Sequence, residues 1–410
     1  MGKKVKLVNG GLCAPKGFQV SAVGCGIKNP EVERLDLALI YSERPTVGAA
    51  VYTQNEVRAA PVRLSSSYLK SAEPRAIVVN SGNANACTGH DGMLKARTMA
   101  SLASKGLGLK QREVQVCSTG IIGVPLPIER IEAKFPELIE SLGKDSDRAA
   151  RAIMTSDTEP KSVSVSVNIE GVRVRIGAIA KGAGMINPHM ATMLCFVTTD
   201  AAISKAELSY ATREAVDQSF NRISVDGDMS TNDTVIVLAN GAAENKTITR
   251  GGTGSAEFRE ALTKVMLLLA KKIVSDGERV TKLVEVRVRG AASQLDAERV
   301  ARAVANSKLV KCSWNGNDPN WGRIIHAVGY SGARVKEELV DIYLNGVLAT
   351  RNGLATKTHI DRLSAAVAGD EFTVGIDLHL GKAEFHLFTS DLSPEYVVFN
   401  REEYALNRAR

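Results

Sequence analysis

Residues 162–169 read Ser-Val-Ser-Val-Ser-Val-Asn-Ile, a strict alternation of polar and apolar side chains. A period of two puts each set on one face of a strand. The alternation resumes over 172–176 after the turn pair Glu170-Gly171, so the spacing predicts a hairpin with one buried face. A second hairpin is predicted where 372–380 and 383–388 alternate around Gly381-Lys382, and 284–288 adds another strand. Short unbroken apolar runs at 37–40, 47–51 and 76–79 predict strands buried on both faces. The last of these runs into Asn80-Ser-Gly-Asn-Ala-Asn85, whose composition predicts a turn. Likewise 114–116 leads into Cys117-Ser-Thr-Gly120, a strand ending in a tight turn, and 223–225 and 234–238 read as strands around a polar loop.

Helical spacing appears elsewhere. A helix is predicted over 93–105, stopped by Gly106, and another over 128–142, interrupted at Pro136. A third begins near Asp145. Ser204 with Glu207 forms a capping box for a helix to about Phe220. Ser255 opens a long helix to about Val274, and Asp296 caps one to about Val304. Strands arrive as hairpins with helices between them. The expected class is α/β of the layered α+β kind, with antiparallel sheets carrying helices rather than a doubly wound parallel sheet.

The 410 residues are enough for two to three domains. With 44% hydrophobic and 24% charged residues, collagen-like, coiled-coil and wholly disordered classes are excluded. The net charge of +7 suits an anionic partner, but the charges are interspersed and form no nucleic-acid arm. Six cysteines without a CxxC pair make neither a disulfide framework nor a zinc site, which fits a reducing cytoplasm. The longest apolar stretch, 265–270, is too short to span a bilayer, and the basic start lacks the apolar run of a signal peptide.

Several motifs fall short of their chemistry. Gly251-Gly-Thr-Gly254 lacks the Lys-Ser/Thr of a phosphate loop, and Gly182-Ala-Gly184 has Asn187 where a dinucleotide fingerprint needs its third glycine. Asp226-Gly-Asp228 with Asn232 and Asp233 resembles part of a calcium loop without its mid-loop glycine or closing glutamate. There is no HExxH and no Gly-x-Ser-x-Gly elbow, so neither a metal nor a cofactor is expected.

The segment Lys181-Gly-Ala-Gly-Met-Ile-Asn-Pro-His-Met-Ala-Thr-Met-Leu194 is a constrained loop ending at Ala191-Thr192, just ahead of an apolar run. Taken alone, a threonine opening a strand is ordinary structure. The segment closely resembles the self-processing site of the ornithine acetyltransferase family (glutamate N-acetyltransferase of arginine biosynthesis). Gly10–Phe18, Val79–Gly89, Ser118–Gly120, Ala191–Leu194, Val225–Thr234 and Asn317–Arg323 match further family signatures, in family order, over nearly the whole chain.

The resemblance implies a definite chemistry. The chain would cleave itself between Ala191 and Thr192 into an α chain, 1–191, and a β chain, 192–410. Thr192, now N-terminal, would be the nucleophile, with its freed α-amine as base. Thr119 and Gly120 match the family's oxyanion pair. Thr155, Lys181, Glu278 and Asn400 match substrate positions, with Lys181 suited to a carboxylate. The implied reaction moves acetyl from N-acetylornithine to glutamate, releasing ornithine, by a ping-pong route through acetyl-Thr192. Some members also take acetyl-CoA as donor, and the family assembles as a dimer of α/β heterodimers. No cofactor, nucleic acid or membrane is implied. The alternatives at this stage are the bifunctional form, a related self-cleaving aminopeptidase and a basic nucleic-acid-binding protein, for which no groove-reading motif is found. The chain departs from the family after Asn400, where Tyr404-Ala-Leu replaces Tyr-Thr-Thr, and at Cys312, where the family commonly has Thr.

Overall fold

The computed structural model describes residues 5–187 and 193–408, the last six of these by backbone alone. The chain forms two compact units, one of residues 5–185, 193–221 and 228–273, the other of 186–187, 222–227 and 274–408. The architecture is mixed α/β, as the pattern predicts, with helices laid on sheets.

The first unit is layered. Its four-stranded sheet orders the strands Phe18–Val23, Leu37–Ser42, Ala76–Asn83 and Val114–Ile121. Its six-stranded sheet runs Val5–Leu7, Lys161–Ile169, Val172–Lys181, Leu194–Thr199, Thr234–Ala239 and Val47–Tyr52. Alternation within buried strands explains how the layers stack. Ile40, Ile77 and Val79 turn one way and share a core with Ile179, Phe196 and Ile236 of the larger sheet. Leu37, Leu39, Ala76 and Val78 turn the other way, into a core with Met99, Ala103, Ile131 and Phe135 from the helices Gly89–Leu107 and Ile128–Glu140. Helix Lys205–Asp217 packs against strand Val47–Tyr52, and Lys264 of helix Ser255–Ser275 donates to the Val5 carbonyl at 3.2 Å. Both faces of each inner strand are therefore covered, which is why these strands read as continuous apolar runs.

The second unit is a seven-stranded sheet whose core gathers Val284, Val286, Trp314, Ile342, Val374 and Leu387 with helices Gln294–Asn306 and Trp321–Gly329. Here one predicted hairpin is corrected. Strands Glu371–Asp377 and Ala383–Ser390 do not pair; Leu283–Ala291 lies between them, parallel to the first and antiparallel to the second. The sheets are accordingly mixed rather than antiparallel, with further parallel pairs at Ala76–Asn83/Val114–Ile121 and Leu194–Thr199/Thr234–Ala239.

Other boundaries shift for physical reasons. Asn80 to Asn83 and Cys117 to Gly120 are strand, not turn, because the polar side chains of Asn80, Ser81, Asn83 and Ser118 are satisfied inside the unit: Ser118 Oγ donates to Asn80 Oδ1 at 2.6 Å. Gly106 lies within its helix, where a side chain would strike Ile139, and Gly108, at φ +66°, ends the helix instead. The helix at 128–140 continues through Pro136 on its exposed face. Ser293 caps helix Gln294–Asn306, with Asp296 three residues in. The 162–169 hairpin is buried on both faces, since Ser164 Oγ donates to the Val8 carbonyl at 2.7 Å.

Candidate functional site

Strand Val114–Ile121 delivers Thr119, buried, and Gly120, exposed, to the end of the four-stranded sheet. Gly120 has φ +135°, and a β-carbon there would lie 2.2 Å from the Gly82 carbonyl carbon and 2.4 Å from Asn83 N. No other residue fits that corner. Among the described residues the Thr119 hydroxyl has no hydrogen-bond partner.

Thr119 pairs in register with Ser81. Ser81 Oγ donates to the Ala152 carbonyl at 2.8 Å, and Arg34 Nη2 donates both to Ser81 Oγ at 3.1 Å and to the Met154 carbonyl at 2.6 Å. This ties the segment carrying Thr155 to the end of the strand pair that carries Thr119.

Thr155 in turn meets Lys181, whose Nζ donates to Thr155 Oγ1 at 2.6 Å. Both sit around a buried carboxylate, Asp157. It accepts the Thr155 N–H at 3.0 Å, the Gly182 N–H at 2.7 Å and Lys161 Nζ at 2.7 Å, with Lys181 Nζ at 3.8 Å. Burial alone would raise the Asp157 carboxyl, but Lys181, Lys161 and the Gly182 amide outweigh it and hold the group well below the usual carboxylate range. Asp157 and Lys161 were not singled out from the sequence. The one hint was the Met154-Thr-Ser-Asp157 string, because pairing of buried charges is decided by packing rather than by local pattern.

A carboxyl depressed in the folded state stabilises it above the unfolded value, about 3.9 for Asp, and that stabilisation is lost as pH falls below it. Asp157→Asn is therefore expected to lower the melting temperature at pH 7 and to flatten its fall between about pH 4 and pH 2. Melting temperatures measured across that range check both effects.

Lys181 pairs across the sheet with Leu194. Ala191 and Thr192 lie outside the described residues. Met193 is held on two sides: its N–H donates to Asp233 Oδ1 at 2.9 Å, and its carbonyl accepts the Thr234 N–H at 3.1 Å. Next to Asp233, Asn232 Nδ2 donates to the Ser118 carbonyl at 2.8 Å and the Ala84 carbonyl at 2.7 Å. The first unit thus brings Thr119, Thr155, Lys181 and the residue following Thr192 around one end of its sheets.

Glu278 and Asn400 belong to the second unit and meet there, Asn400 Nδ2 donating to Glu278 Oε2 at 3.2 Å and to the Tyr396 carbonyl at 3.0 Å. Asn400 stands on helix Pro394–Arg408, an element the sequence pattern did not predict. Among the described residues no three His, Cys, Asp or Glu side chains gather as a metal site, and no helix is long and apolar enough to cross a membrane.

The model of the ArgJ family matches residues 19–405. The arginine biosynthesis bifunctional protein ArgJ of Geobacter sulfurreducens is 52% identical over 389 residues, covering 94% of this chain and 98% of the relative. The protein of the same name from Symbiobacterium thermophilum is 46% identical over 392 residues, 95% of this chain and 98% of its own. Among solved structures, an arginine biosynthesis bifunctional protein ArgJ from Bacillus halodurans is 41% identical over 50% of this chain and 98% of its own, with a TM-score of 0.49. An ornithine acetyltransferase from Mycobacterium tuberculosis, in complex with ornithine, is 36% identical over 45% of this chain and 98% of its own, with a TM-score of 0.40.

Proposed function

The chain belongs to the ArgJ family, enzymes of arginine biosynthesis, and on that premise we propose that it transfers acetyl from N-acetylornithine to glutamate through Thr192. The observation that carries the site assignment is the register that sets Lys181, already bonded to Thr155, across from Leu194, two residues past Thr192.

The first step is self-cleavage. Thr192 Oγ attacks the Ala191 carbonyl carbon, its proton passes to the amide nitrogen, and the C–N bond gives way to an ester. Water hydrolyses the ester, leaving an α chain ending at Ala191 and a β chain beginning at Thr192. The freed α-amine, with a reference pKa of about 7.7–8.0, then takes the hydroxyl proton that no amide could take. Cleavage is therefore activation.

In transfer, Thr192 Oγ attacks the acetyl carbonyl of N-acetylornithine. Negative charge develops on the acetyl oxygen, where Thr119 Oγ–H and Gly120 N–H donate. The amine of ornithine leaves with the proton, and acetyl-Thr192 remains. Glutamate enters, its amine attacks the ester, and N-acetylglutamate departs as the proton returns to Thr192. Lys181 holds the α-carboxylate common to both substrates, with Thr155 beside it. Resemblance to the family gives Glu278 and Asn400 as further substrate contacts, Glu278 suited to an amino group.

Intact mass of the purified protein tests the reading. Two species broken between Ala191 and Thr192, with acetyl transfer from N-acetylornithine to glutamate, support it; one uncleaved, inactive species overturns it. The relatives named bifunctional favour a second reading, in which acetyl-CoA is an additional donor to the same Thr192. Separate assays with glutamate and each donor decide it. The enzyme is expected to work in the cytoplasm as a dimer of α/β heterodimers.

A further inference from the structure

Of the carboxyls in the polar loop Val225–Thr234, none used by the transfer chemistry, Asp233 stands apart. Asp233 is fully buried, and its Oδ1 accepts the Met193 N–H at 2.9 Å. Its Oδ2 is also buried and has no hydrogen-bond partner among the described residues. A buried carboxyl with an unsatisfied oxygen is costly, and such groups call for a reason. Burial pushes this carboxyl well above its usual range, against the Met193 amide, the nearby positive charge of Lys181 and the Ser230 and Thr53 hydroxyls, all of which pull it down. A neutral acid is the form such a site favours.

The Asp233 backbone is fixed independently of that carboxyl. The Thr53 N–H donates to its carbonyl at 2.9 Å, Thr53 Oγ1 donates to the Ser230 carbonyl at 2.8 Å, and Asn232 is anchored on Ser118 and Ala84. The carboxyl therefore stands on a rigid base, and among the described residues it meets the chain that follows the nucleophile at the amide N–H of Met193. That N–H belongs to the peptide bond closed by the carbonyl of Thr192. Fixing that peptide plane fixes the point from which the Thr192 hydroxyl and nitrogen project. Misaiming a reacting group by about 1 Å costs on the order of a hundredfold in rate.

We propose that Asp233 is a positioning residue for Thr192, its side-chain oxygen holding the Met193 amide so that the Thr192 hydroxyl is aimed for self-cleavage and then for acetyl transfer. The proposal rests on the Thr192 reading above. It requires an acceptor at Oδ1, which asparagine keeps, so asparagine is expected to serve where alanine and serine do not.

The test follows self-cleavage of the full chain on denaturing gels after synthesis, in wild type and in Asp233→Asn, Asp233→Ala and Asp233→Ser, with Thr192→Ala as the uncleaved control. Asp233→Asn is expected to cleave within about threefold of the wild-type rate, and Asp233→Ala and Asp233→Ser at least tenfold more slowly, on the scale that misalignment gives. A second arm co-expresses 1–191 and 192–410 as two chains, so that transfer is read without cleavage. There Asp233→Ala is expected to lower kcat at least tenfold while KM for glutamate changes less than about threefold. A merely structural residue would lower the melting temperature and the yield of all three variants without that rescue by asparagine or that split between kcat and KM. Wild-type cleavage in Asp233→Ala, or equal loss in Asp233→Asn and Asp233→Ala, overturns the proposal. Absence of cleavage in the wild type overturns the underlying reading instead, which keeps the two failures apart.

Discussion

Thr192→Ala is expected to yield a single uncleaved chain with no acetyl transfer. One hydroxyl is asked to serve both reactions. On the proposed mechanism it moves the Ala191 acyl carbon from nitrogen to oxygen in the precursor and carries the acetyl group between substrates in the mature enzyme. Its removal leaves neither an ester to hydrolyse nor a free α-amine to act as base, so no residual route is provided by the surrounding donors. Thr192→Ser keeps a hydroxyl and should retain part of both activities. The lost methyl group gives serine more side-chain freedom, so both rates should fall. Denaturing gels and intact mass read cleavage; coupled assay of N-acetylglutamate reads transfer. A Thr192→Ala protein that still appears as two chains sinks the mechanism.

Thr119→Ala is the second large effect. Its hydroxyl lies near the end of a strand whose next residue, Gly120, cannot be replaced without driving a β-carbon into the Gly82–Asn83 backbone. The two donors are thus preorganised by the strand pair itself. On the proposed mechanism they act where charge appears only at the transition state, so deleting one should cost about 10²–10³ in kcat, or about 3–4 kcal/mol. KM for either substrate should change little, because the ground-state carbonyl interacts weakly. Cleavage should slow as well if the same donors hold the oxyanion at Ala191. Steady-state kinetics with each substrate varied separate the cases. A raised KM at unchanged kcat would make Thr119 a ground-state contact.

Most inner strands of the first unit can be found from the sequence because they are covered on both sides and so carry unbroken apolar runs. What could not be found is which strand lies beside which. The 372–380 and 383–388 segments look like a hairpin because they are adjacent in the chain, yet Leu283–Ala291 separates them. A period of two says that a residue faces a core, not which partner supplies it. The Asn80–Asn83 stretch was read as a turn from its composition, because its stabilising partners, Ser118, Ala152 and Val124, lie far along the chain. The site divides in the same way. Thr119, Gly120, Thr155, Lys181, Glu278 and Asn400 came from resemblance to a family, not from spacing. Asp157, Lys161 and Asp233 carry no local mark of the partners they meet; only packing shows that a carboxyl sits among two lysines, or beneath the amide of Met193.

The order of strands in the six-stranded sheet bears on what a cut at 191 can do to the molecule. Strands Leu194–Thr199 and Thr234–Ala239 lie downstream of the cut, and their outer neighbours on both sides, Val172–Lys181 and Val47–Tyr52, lie upstream. The two products of such a cut would be laced together like the teeth of a zipper, not stacked as two halves. Neither can leave without stripping hydrogen bonds from two ladders at once and opening the shared core of Ile179, Phe196 and Ile236. Nicking the chain frees an end for chemistry while the body that aims it stays clasped, so the pieces should part only in denaturant and should melt as one.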